Sequence, residues 1–305
     1  MEIIEIFKAI LFGILEGITE WLPVSSTGHL ILLNEWVQFN ICESEEKLAA
    51  FMEVYDVVIQ LGAILAVVII FFKDIWPFGW KKAKASAEDI AKEKTGWSFG
   101  RILIWKDIIF LWIKIFVACV PAMIYGFLLD SWMEEKMAPY KPVIVAVMLI
   151  LVGIVFIVAE NHYQGKQAKI ITSDALDYRL AFLIGVFQLV AAVLPGTSRS
   201  GATIIGGLLL GLSRSAAAEF TFYLAVPTMF GASLLKVVKF LFEGLSFTGA
   251  EMTILLISSV MAFVISVIVI KFFMAYIKKH DFKVFGWYRI VLGTIVLIYF
   301  IFNRG

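Results

Sequence analysis

Charge is scarce in this chain. Only 17% of its 305 residues are charged, against roughly 25% in soluble domains, and a net charge of +1 gives no basic excess with which to hold nucleic acid. Two cysteines, Cys42 and Cys119, are too few for a disulfide framework and lack metal-ligand spacing. Cys119 lies inside an apolar run, and neither cysteine is assigned a role. Basic residues are missing from the opening Met1-Glu2-Ile3-Ile4-Glu5, so no secretory signal peptide is expected and the N-terminus reads as mature protein. Hydrocarbon is what the chain has in excess. With 61% hydrophobic residues and a mean hydropathy of +0.92, it carries more apolar surface than a soluble core of this length can hide. The expected fold is an all-α polytopic membrane protein, with one membrane domain over residues 1–305.

Six apolar runs are long enough to cross a bilayer, at about Val54–Phe72, Asp107–Leu129, Val143–Ala159, Ala218–Leu241, Met252–Ile277 and Val284–Phe302. Two further stretches, about Ile6–Val37 and Leu180–Leu212, exceed one span but carry polar residues around a proline in the middle. Hydrocarbon tolerates such a break only around a protected polar cavity, so each is read as a re-entrant helix–loop–helix. Setting Pro23 over Pro195 also matches Gly13 with Gly185, Leu22 with Leu194 and Ser26 with Ser198. The two stretches read as copies of one unit, repeat 1 covering about 1–129 and repeat 2 about 180–277.

Loop charge sets the expected orientation. Lys73–Lys106 holds eight Lys/Arg against four acids and should be cytoplasmic by the positive-inside rule. Its charged piece Lys81–Lys94 reads as a helix on the membrane surface. Asp130–Pro142, with Asp130, Glu134 and Glu135, then falls outside; Glu160–Arg179 falls inside; Glu243–Glu251, without Lys or Arg, falls outside; and Lys278, Lys279, Lys283 and Arg289 fall inside. Three spans separate the broken stretches. An odd number makes them open from opposite faces, so the expected architecture is an inverted-topology repeat whose loops meet near the midplane.

The residues at that meeting point carry chemistry. Glu16 and Glu20 are four apart on a helix, so both carboxylates project from one face and need a divalent metal or a proton between them. Next come Pro23-Val24-Ser25-Ser26-Thr27-Gly28-His29, where His29 beside two glutamates and several hydroxyls is a candidate base or partner of a nucleophile. The second loop, Pro195-Gly196-Thr197-Ser198-Arg199-Ser200-Gly201-Ala202-Thr203, reads as an anion cradle. Gly196 and Gly201 let the backbone approach a phosphate, while Ser198, Ser200 and Thr203 supply hydroxyls. Arg199 supplies a planar fork at a restarting helix. Leu212-Ser213-Arg214-Ser215 looks similar but reads as a turn and helix cap. Asp56 and Gln60, four apart, are candidates to face the cavity, as is Glu219; Lys114 is expected to snorkel or pair. Glu16-Glu20-Trp21 also admits a plain interfacial reading, with Trp21 at the membrane surface.

Together the two loop motifs resemble the signatures of the undecaprenyl-diphosphate phosphatase family of the bacitracin-resistance type, over nearly the whole chain. The resemblance implies an enzyme of the bacterial plasma (inner) membrane, with a site accessible from the outer face. It would remove the terminal phosphate of undecaprenyl diphosphate, recycling the cell-wall carrier lipid. It implies a divalent cation, Mg or Ca, on Glu16 and Glu20; the expected catalytic set is Glu16, Glu20, Ser26, His29 and Arg199. Ser25, Thr27, Gly196, Ser198, Ser200, Gly201 and Thr203 would hold the polyprenyl diphosphate. Ser26 or a water attacks, with Glu20 or His29 as base; homodimer formation stays open. A carrier or flippase for a lipid phosphate or another anion is the competing reading, since broken helices and midplane charge also mark transporters.

Overall fold

The computed structural model describes residues 3–80, 96–99 and 102–303. The surface helix expected at Lys81–Lys94 lies outside the described residues. Ten helices build the body: α1 (Ile3–Thr19), α2 (Ser26–Trp36), α3 (Glu45–Ile70), α4 (Lys106–Leu128), α5 (Lys141–Tyr163), α6 (Tyr178–Val193), α7 (Arg199–Leu209), α8 (Arg214–Phe242), α9 (Gly249–Ile277) and α10 (Lys283–Asn303). Short helices at Phe72–Ile75 and Asp130–Met137 connect them. Six of the helices, α3, α4, α5, α8, α9 and α10, are long and apolar enough to cross a membrane.

These helices outrun their apolar stretches because polar caps extend them. Ser44 accepts a hydrogen bond from the Lys47 amide and starts α3 nine residues before Val54. Ser213 does the same for α8 through the Ala216 amide. Thr248 and Glu251 exchange side-chain and backbone bonds in a capping box that opens α9. Large apolar side chains including Phe116, Phe127, Leu151, Leu256 and Val264 cover the perimeter with their surface exposed, as a hydrocarbon solvent requires.

One element departs from the all-α expectation. Phe78–Trp80 (β1), Trp97–Phe99 (β2) and Ile102–Ile104 (β3) form an antiparallel sheet in the order β1-β3-β2. Phe78 and Trp97 both register with Ile104. Aromatic and β-branched residues favour strands, and here they sit in the connection between α3 and α4, beyond the apolar runs.

Each broken stretch lays its first helix against a spanning helix. α1 packs along α9, and α6 packs along α4. At each contact a glycine admits the neighbouring backbone: a Cβ on Gly13 would collide with the Ser258 carbonyl of α9, and one on Gly185 with the Ala118 carbonyl of α4. α5 and α10 pair in the same manner, Gly153 and Gly286 each facing the other's carbonyl, where an added Cβ would come within 2.7 and 2.8 Å. The core between them gathers Trp21 and Val24 from the first break, Ile204 and Ile205 from α7, and Phe156, Phe222 and Phe273 from the surrounding spans.

Candidate active site

Each broken stretch restarts on a serine in a left-handed conformation. Ser25 has φ 74° and Ser198 φ 69°, and they are the only non-glycine residues with positive φ among those described. This region is unfavourable for a side-chain-bearing residue by roughly 1–2 kcal/mol. Both serines hold it by capping: Ser25 Oγ accepts from the Gly28 amide at 3.4 Å, and Ser198 Oγ from the Gly201 amide at 3.2 Å. Cap geometry therefore pairs Ser198 with Ser25, where the sequence register set it against Ser26. The reason is loop length, since one more residue separates Pro195 from its cap than separates Pro23 from its own. Ser26 and Arg199 then occupy equivalent first positions of α2 and α7.

That placement lets the two loops meet. The Arg199 guanidinium donates from Nη2 to Glu20 Oε1 at 2.9 Å and from Nη1 to the Thr221 carbonyl at 3.2 Å. The other oxygen of Glu20 accepts the Ser26 hydroxyl at 2.9 Å. Ser200 Oγ crosses between loops as well, donating to the Glu20 carbonyl at 3.1 Å. Glu20 is 7% exposed, so this ion pair is not one of the screened surface kind that contributes little. Trp21, which also allowed an interfacial reading, is fully buried; it meets Phe222 edge-on at 5.2 Å, and the Arg199 guanidinium lies 5.9 Å from its ring.

Glu16 has a different environment. It is fully buried beside Glu20 and Asp56, and neither of its carboxylate oxygens meets a hydrogen-bond donor among the described residues. A naked carboxylate there would be strongly unfavourable, so the position calls for a proton or a cation. Oxygen donors of this kind suit Mg2+ or Ca2+. Two carboxylates are too few to enclose an ion, and no group of three or more His, Cys, Asp or Glu converges among the described residues.

His29 is committed elsewhere. Its Nδ1 lies 2.7 Å from the Ser25 carbonyl, which can only accept, so Nδ1 carries the hydrogen. Nε2 of the neutral ring then accepts from the Tyr288 hydroxyl at 2.6 Å. Thr203 is also engaged, donating to the Arg199 carbonyl at 2.9 Å and accepting from Thr221 Oγ1 at 2.8 Å. Gly196 has φ +91°, and a Cβ there would run into the Val145 backbone. Ser26 and Thr27 line a cavity of about 290 Å3 together with Asp56, Gln60 and Lys141. A second cavity, of about 430 Å3, gathers Asp74, Asp107, Asp174 and Glu219 with Lys73. Lys114 pairs as expected, donating to the Asp174 carbonyl. Arg214 binds Glu160 through two nitrogens at 2.9 and 2.6 Å.

Arg289 overturns one expectation. Placed among the inside-facing basic residues by sequence, it is fully buried and donates to the Pro23 carbonyl at 3.2 Å, the Gly196 carbonyl at 2.8 Å and the Thr197 carbonyl at 2.9 Å. A lone charge inside the run Val284–Phe302 was the available signal. Tyr288 had none, because aromatic residues are common along such helices.

The model describing bacitracin resistance protein BacA matches residues 9–295 of the chain. An undecaprenyl-diphosphatase of Desulfitobacterium hafniense is 53% identical over 300 residues, covering 98% of both chains. Undecaprenyl-diphosphatase 1 of Clostridium acetobutylicum is 51% identical with 99% of both covered, and an undecaprenyl-diphosphatase of Enterococcus faecalis is 52% identical with 98% of both covered. With both loops inside the stretch that the family model matches, and relatives of about 50% identity aligned along nearly the whole length, the chain belongs to the BacA family.

Proposed function

We propose that the Ser26–Glu20–Arg199 chain performs phosphoryl transfer from a polyprenyl diphosphate. The protein is a membrane phosphatase that converts undecaprenyl diphosphate and water to undecaprenyl phosphate and inorganic phosphate. The observation that carries the residue roles is the pair of 2.9 Å bonds on one carboxylate, which link a hydroxyl nucleophile, a base and a guanidinium. An arriving terminal phosphate draws Arg199 away from Glu20, because a planar fork binds phosphate oxygens in pairs. Glu20, no longer paired with Arg199, takes the proton of Ser26, or of a water in its place, as oxygen attacks phosphorus. The bond from the terminal phosphorus to the bridging oxygen breaks and the lipid monophosphate leaves; where Ser26 is the attacker, a water then displaces the serine from the phosphoserine and releases inorganic phosphate. His29 holds the Ser25 cap through its own ring and has no free nitrogen for this step. Glu16 would hold a divalent cation that neutralises charge on the diphosphate, leaving Glu20 free to act as the base.

We read the two broken stretches as an inverted repeat, from features that they share. α1 and α6 use glycines matched in sequence, Gly13 and Gly185, to touch α9 and α4, and Ser25 and Ser198 share one cap geometry. We read both breaks as re-entrant turns at membrane depth. The cavity beside Ser26 includes Lys141 and Pro142, next to the connection opposite the basic Lys73–Lys106 segment, so the positive-inside rule turns it to the outer face. The Ser26 hydroxyl on Glu20 sets a nucleophile beside a base, which a carrier does not need, and this favours hydrolysis over passage by a carrier. The test is phosphate release from a polyprenyl diphosphate by purified protein, with Arg199→Ala beside it. Full activity in the variant overturns the cradle.

A further inference from the structure

Arg289 joins the two loops through backbone alone. Its guanidinium reaches the Pro23 carbonyl of the first loop and the Gly196 and Thr197 carbonyls of the second. Among the described residues no carboxylate lies within ion-pair distance of it, and its Nε has no acceptor. A buried cation without a counter-charge is expensive unless its surroundings replace water, so hydrophobic packing does not explain it. Helix breaks inside a bilayer free carbonyls that need donors, and a planar fork satisfies three from one point. Room for it is prepared: an added Cβ on Gly153 would sit 3.2 Å from Arg289 Cβ, and one on Gly201 would sit 3.3 Å from Nη1.

We propose that Arg289 is a positioning residue for phosphoryl transfer, holding the Glu20–Ser26 loop and the Arg199 loop in reactive register. The proposal rests on the Ser26–Glu20–Arg199 reading. In the resting protein the loops are also tied by Arg199 on Glu20, but substrate must open that pair. The Arg289 tie uses no reacting group and therefore persists through the exchange. A displacement of about 1 Å between attacking and receiving groups lowers rates by about a hundredfold, so a fixed tie of this kind sets kcat.

The test compares wild type with Arg289→Lys and Arg289→Met, measuring kcat and KM for phosphate release, with the folded fraction from a thermal unfolding curve. Lysine keeps the charge but cannot span three carbonyls on two loops. Expected is a fall in kcat of about a hundredfold in Arg289→Lys per folded molecule, with KM changed by less than about threefold. Wild-type kcat in Arg289→Lys overturns the proposal, as does a loss accounted for by the unfolded fraction. If Arg289→Met does not fold, the lysine variant decides. A wild-type protein that releases no phosphate would instead sink the reaction itself, and an active wild type with Ser26→Ala and Glu20→Gln undiminished would sink the residue roles.

Discussion

Glu20 divides its carboxylate between a serine and an arginine, and the division makes two substitutions informative. Glu20→Gln keeps an acceptor for Ser26 but removes the base, so kcat should fall by about 10²–10⁴-fold with the protein still folded, as read by phosphate release. Arg199→Ala removes the charge that receives the diphosphate and leaves Glu20 unpaired in a buried place; a loss of about 10³-fold in kcat/KM is expected. Glu16 belongs to the same scale. Titrating Mg2+ or Ca2+ into chelator-treated protein should restore activity in wild type but not in Glu16→Gln, and an identical titration curve in both would exclude the carboxylate as a ligand. Most of this was legible from the residues themselves, because Glu, Ser, His and Arg in a proline-broken apolar helix have few other reasons to be there. Arg289 was misplaced, since charge counting treats every Arg near a helix end as a flank, and only three dimensions show which carbonyls it reaches.

Whole elements were legible to different degrees. Hydropathy located the six spans and both breaks, and the caps then lengthened the helices past the apolar limits. The three short strands escaped notice because runs of three residues leave no periodicity. The match of Ser26 with Ser198 slipped by one because a loop can absorb an extra residue without changing the helices around it. Cap chemistry at these breaks gives a stability prediction. Ser198→Ala loses the bond to Gly201 while keeping the strained φ, and should cost about 1–2 kcal/mol. Ser198→Gly relieves the strain and should cost only a few tenths of that. Thermal unfolding of the two variants should rank alanine below glycine, and the reverse order would remove the argument from φ.

At the scale of the molecule, orientation is the testable property. Sealed vesicles of opposite sidedness, supplied externally with a polyprenyl diphosphate, should release phosphate when the Lys73–Lys106 segment faces the lumen and much less when it faces the bath. Equal rates would contradict an outer site. The close glycine contacts have a further consequence. Gly13, Gly62, Gly153, Gly185 and Gly286 bring backbone against backbone, and an added Cβ at any of them would meet main-chain atoms. Surfaces interlocked at that range have no side-chain layer on which to slide. When the surrounding bilayer thickens or thins, the body should tilt as a block or leave the lipid to adjust, so turnover should stay nearly flat across phosphatidylcholines of different acyl length.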